Sequence, residues 1–183
     1  YYMSTTNIQN FPGDVQIRGT TFIKANSNTN NLAIGTDAGA TAQGTNTVAI
    51  GNLAGSTVQG NDTVAVGRAA GYNQQGANSV AVGLNAGCAD QAANAVSIGN
   101  AAGCDSQGTQ GIAIGNTAGR VAQGDTAVAV GVSAGLNQQG ASSVAVGHQA
   151  GQVSQGANSV AIGLLAGAAD QADNSVAIGN NAG

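Results

Sequence analysis

Two cysteines, one histidine and eight acidic residues, all Asp, are the side chains of this 183-residue chain best suited to catalysis or metal binding. A catalytic or metal-binding role for His148 needs partners close by: a nucleophile and an orienting carboxylate, or two or three further ligands. None recurs near it, so His148 reads as a solvated corner residue. Asp90 and Asp170 occupy the same position of an internal repeat but lie five repeats apart, too far to work as a paired acid and base. The calcium-binding run Gly-Gly-x-Gly-x-Asp is missing. The glycine-rich texture contains no Gly-Lys-Ser/Thr, as a phosphate loop would. No catalytic residue, cofactor or metal ligand is expected in this chain, and therefore no enzyme.

Cys88 and Cys104 are sixteen residues apart. If that spacing is one coil of a stacked structure, their Cα atoms lie about 4.8 Å apart, within disulfide range. Directly stacked β-carbons would be nearly as far apart, wider than the usual separation of about 3.5–4.5 Å, which favours free thiols. Asn61-Asp62-Thr63 matches a glycosylation sequon, weak evidence as a single match in an Asn-rich chain.

The spacing of sixteen belongs to the whole chain. Glycine recurs from Gly35 through Gly51, Gly67 and Gly83 to Gly179, and a second column runs from Gly39 to Gly183. Unbroken self-similarity of this kind marks a solenoid, whose turns bury their apolar faces only against one another. In the repeat Asn78-Ser79-Val80-Ala81-Val82-Gly83, Val80 and Val82 share one face of a strand and Ala81 takes the other. The branched pair recurs from Leu32 and Ile34 to Val176 and Ile178, favouring strand over helix. Its face is expected to turn from bulk solvent, into the roll or a chain–chain contact. Gly83 and Gly87 allow a sharp reversal, and a second corner follows Gln91. The fold class is thus all-β: a parallel β-solenoid of sixteen-residue coils. Ten coils give a rod of about 45–50 Å.

The Gln column, Gln43 to Gln171, reads mainly as an amide ladder or a cap on corner backbone groups rather than a ligand-binding stripe. Asn46, Asn78, Asn94, Asn158 and Asn174 suggest a second, less regular ladder. Residues 1–31 stand outside the period as an N-terminal β cap, with 32–183 forming the ten-repeat roll. Pro12-Gly13 marks a turn. Two strands follow, in Asp14–Gly19 and Thr20–Lys24, and Phe11 and Phe22 plug the open end of the roll. Met3 follows two tyrosines, and the chain stops on a bare repeat; it reads as part of a longer protein.

The segment Asn-Ser-Val-Ala-Ile-Gly at 158–163 and 174–179 resembles the head repeat of the YadA-like trimeric autotransporter adhesins. Sixteen-residue variants are also similar to repeats in fibre proteins of phages and large DNA viruses. The resemblance covers residues 32–183, specific in the strand and weaker in the turns. It implies a left-handed β-roll and a homotrimer of chains packed side by side. The sequence departs from it in having sixteen residues per turn rather than fourteen, and in lacking a neck, stalk or outer-membrane anchor.

Four scattered cations, Arg18, Lys24, Arg68 and Arg120, make no phosphate-tracking stripe, so nucleic acid is not an expected partner. The longest apolar run, about ten residues at Val160–Ala169, is too short for a membrane span. The functional expectation is a structural and adhesive fibre module, extracellular, on a virion or bacterial surface, contributing to host attachment through a receptor or glycan. Arg68, Tyr72, Arg120, Leu164 and Leu165 are the candidate surface contacts, being large side chains at positions the coil leaves free. The alternatives are an architectural spike, spacer or surface-layer element, and, more remotely, ice binding, which needs a rank of Thr that the mixed outward columns lack.

Overall fold

The computed structural model describes residues 15–17, 20–26 and 30–183. Among these the chain winds as a parallel β-solenoid with no helix. Strand β1 (Val15–Ile17) pairs antiparallel with β2 (Thr20–Asn26), which lies antiparallel on β3 (Asn31–Ile34). Phe11, Pro12 and Gly13 lie outside the described residues, as does the side chain of Phe22.

From β3 onward, one short strand per period stacks parallel and in register on the last, up to Val176–Ile178. Val80 sits beside Val64 and Val96, and Ala81 beside Ala65 and Ser97. Together with β1 and β2 these strands form a twelve-stranded sheet, the first wall of the roll. The second wall is a six-stranded parallel sheet from Asn73–Gln75 to Val153–Gln155, extended by isolated bridges at Gln43–Gln59, Gln59–Gln75 and Val153–Ala169.

The coil closes through left-handed backbone. Beginning at Val80, Gly83 and Gly87 have φ of 131° and 51°, and three non-glycine residues, Asn85, Asp90 and Asn94, have φ of 53°, 54° and 60°. The glycine corners, and the corner after Gln91 where Asn94 lies, follow the sequence expectation; the positive φ of Asn85 and Asp90 is additional. Short polar residues tolerate this region best because their side chains bond locally. Asp90 interrupts its strand, so that wall pairs only through Ala89 and Gln91. Val58, at the equivalent position, is not among the residues with positive φ, a region in which a β-branched side chain is strained. The expected Asn ladder shrinks accordingly. Among the described residues it links Asn30 to Asn46 (3.2 Å) and Asn46 to Asp62 (2.9 Å). Asn78, Asn94, Asn158 and Asn174 hold the left-handed corner, with φ between 54° and 60°.

Of the two burials expected for the branched pair, the interior of the roll is excluded. Val80 and Val82 do not point into the roll; Ala81, between them, is fully buried while both valines stay half-exposed on the outer surface. The core is two columns of alanine, Ala81 with Ala86 and their equivalents, with glutamine from the opposite wall. The walls approach too closely for anything larger. Gln75 Nε2 donates to the Val64 carbonyl at 3.0 Å, so one glutamine spans the tube. A β-carbon on Gly71 would meet the end of the Gln75 side chain, so a residue there would have to displace that amide as well as strain a φ of 54°.

Candidate functional site

The sequence-nominated contact residues occupy two corners of the roll. Arg68 and Leu164 directly follow the strand glycine, and Leu165 is next along with a φ of 55°. Tyr72 and Arg120 sit across the turn, directly after the second glycine. All but the half-buried Leu165 are exposed. Arg68 and Tyr72 lie at opposite ends of one short turn, while Leu164 is six coils further on, about 29 Å along the axis. Arg120 is three coils from Tyr72, about 14 Å. The fold does not gather the five into one site.

The ionisable groups are similarly dispersed. His148 is exposed, stacked between Val132 and Leu164. An open hollow of about 500 Å³ beside Val58 is lined by Gln74, Gln75, Gly76, Gln91 and Ala92, with Asp90 as its one ionisable group. A lone carboxylate offers no partner for acid–base work.

The glutamine column faces inward. Gln75 is 2% exposed, which removes the ligand-stripe reading. Gln43 donates to Gln59 and Gln59 to Gln75, each at 2.9 Å. From Gln75 on, each glutamine reaches the strand carbonyl eleven residues earlier, as in Gln91 to Val80 (3.0 Å) and Gln139 to Val128 (2.8 Å), and Gln91 and Gln123 also keep a rung to Gln107 (3.2 Å) and Gln139 (3.1 Å). Both modes engage the buried Nε2 groups, while the Oε1 atoms of Gln91, Gln123, Gln155 and Gln171 are buried without a partner.

Cys88 and Cys104 are bonded, correcting the free-thiol reading. Their Cα atoms lie 4.7 Å apart, the coil spacing. Side chains on adjacent coils can lean toward each other, which a calculation from parallel Cβ vectors leaves out.

The feature that sequence reasoning left undecided, between the roll and a chain–chain contact, is the branched pair, and it lies on the outer face of the first wall. One column runs Leu32, Val48, Val64, Val80 and on to Val176; the other runs Ile34, Ile50, Val66, Val82 and on to Ile178. Every position is a branched aliphatic residue. In mid-rod, Ile98, Ile114 and Ile162 are 37–39% exposed. The usable signal was in the repeats themselves: the flanking positions vary among Val, Ile and Leu, while the central one is Ala or Ser throughout. A position limited to the smallest side chains is one that faces a narrow interior.

A sixteen-residue coil, alanine and glutamine inside and a branched aliphatic ribbon outside, defines a rod-forming repeat protein rather than a cleft-bearing one. Residues 27–54, 42–70 and 154–182 match the YadA head domain repeat (two copies), the family suggested by the Asn-Ser-Val-Ala-Ile-Gly segment. No curated protein and no solved structure matches the chain.

Proposed function

We propose that the chain is a non-enzymatic module of an extracellular surface fibre, assembled as a homotrimer through the outer face of its first wall and contributing to host attachment. The observation that carries this reading is the continuous ribbon of Val, Ile and Leu. A soluble monomer rarely leaves so long an apolar strip in water, and strips of this kind mark association surfaces. A second and third copy presenting the same ribbon can cover it along the full rod. The match to head repeats of an adhesin family supports the surface-fibre role. In such an assembly the corners, with Arg68, Tyr72, Arg120, Leu164 and Leu165, stay free for contact with a receptor or glycan.

The test is sedimentation equilibrium of the chain beside its Ile114→Asp variant. In a lone chain Ile114 is 37% exposed, so a carboxylate there stays solvated and costs little. In a trimer each copy buries that charge against an apolar neighbour, costing several kcal/mol unless it is neutralised. A parent of three-chain mass and a variant that dissociates are expected. A parent that stays monomeric at high concentration removes the assembly. Attachment is read separately, by binding of the rod to cultured cells and immobilised glycans; a trimer that binds neither is an architectural spacer.

A further inference from the structure

The apolar interior is interrupted at one place. Alanines from Ala33 to Ala86 form one buried cluster, and those from Ala102 to Ala177 form another. Between them, Ser97 occupies the central strand position that is alanine in the neighbouring coils. Its hydroxyl is fully buried, donates to Gln107 Oε1 at 2.6 Å and accepts from Gln91 Nε2 at 3.1 Å. The neighbouring corners are held differently, by Gln91, Gln107 and Gln123 donating to the carbonyls of Ala95, Gly111 and Ala127. Ala95, Gly111 and Ala127 stand where Ser79, Ser143 and Ser159 donate to the carbonyl three residues back, at 2.6–2.7 Å. This coil therefore lacks the run of alanine that continues through the coils on either side, and its interior is held instead by the Gln91–Ser97–Gln107 hydrogen bonds. It is also the coil closed by the Cys88–Cys104 disulfide, which spans sixteen residues and encloses Ser97.

We propose that the Cys88–Cys104 coil is a redox-gated opening point of the rod. Oxidised, the disulfide holds together two coils whose shared interior is polar; reduced, that junction opens ahead of the rest. Cys88 is half-buried and Cys104 is 8% exposed, so a thiol reductant approaches the Cys88 sulfur. The first thiol attacks as its thiolate, forms a mixed disulfide with Cys88 and releases Cys104 as a thiolate, which takes up a proton. A second thiol then attacks the reductant's sulfur, releasing Cys88 and leaving the reductant as its own disulfide. Two electrons and two protons pass from the two thiols to the protein. The local barrier to opening falls because the sixteen-residue loop is no longer closed in the opened state.

The experiment is amide hydrogen exchange by mass spectrometry on the full chain, with and without dithiothreitol. Oxidised, residues 88–111 are expected to exchange as slowly as residues 128–162. Reduced, they alone should exchange faster, by about 100-fold, the effect of releasing a closed loop of this length. A Ser97→Ala variant, which joins the two alanine clusters, should recover most of that protection while still reduced. An unchanged profile on reduction, or an acceleration spread evenly along the rod, overturns the proposal. So does a reduced Ser97→Ala chain that opens as readily as the parent, or alkylation of both cysteines without reductant.

Discussion

Replacing Gly99 by alanine tests what the strand-end glycine column is for. Gly99 has a φ of 132°, in a region that costs an L-residue about 1–3 kcal/mol. A β-carbon there would lie 2.4 Å from the Gly115 carbonyl oxygen and 2.7 Å from its carbon. Both are backbone atoms of the next coil, so neither can rotate away. Relief requires the coils to part by several tenths of an ångström, weakening hydrogen bonds such as Gly115 N–H to the Ile98 carbonyl, now 2.8 Å. Two weakened bonds at about 1 kcal/mol each bring the expected loss to about 3–5 kcal/mol. Gly179 provides the control. Its φ is 125°, yet the nearest atom to an added β-carbon is the Ala182 methyl at 3.9 Å, so Gly179→Ala carries the backbone strain alone. Urea unfolding followed by circular dichroism measures both variants. If Gly99→Ala is no worse than Gly179→Ala, contact between stacked coils is not what demands glycine.

Gln139→Met keeps the length of the side chain but removes its donation to Val128 and its acceptance from Gln123; a loss of about 2–3 kcal/mol in the same assay is expected. Ala145→Leu overfills a fully buried position between close walls and should cost about 1–3 kcal/mol or more, whereas Val144→Leu, on the outer face, should cost under about 1. Deleting Gly131–Val146 joins Val130 to Gly147 across one complete period; the shortened chain should fold with its β spectrum intact, because each coil meets only its neighbours. A helical or disordered spectrum would contradict the in-register stacking.

The period, the strands and the glycine corners were legible in the chain itself, because each depends on local geometry repeated every sixteen residues. Val80-Ala81-Val82 reads as a strand from β-branching alone, and the columns led by Gly35 and Gly39 read as corners from the freedom of glycine. Which face of the strand turns inward was not legible, since alternation separates Val80 from Ala81 without saying how wide the enclosed space is. Closure of the second wall decided that. With Gln75 reaching from one wall to the Val64 carbonyl on the other, only methyl-sized side chains fit beside it, and the larger residues were left outside. The left-handed residues hidden at Asn85 and Asp90 had the same origin: a left-handed φ at a non-glycine residue is imposed by the need to close the coil, and the side chain merely tolerates it. Spacing placed Cys88 above Cys104, but the bond depends on how two side chains lean, which the backbone period does not specify.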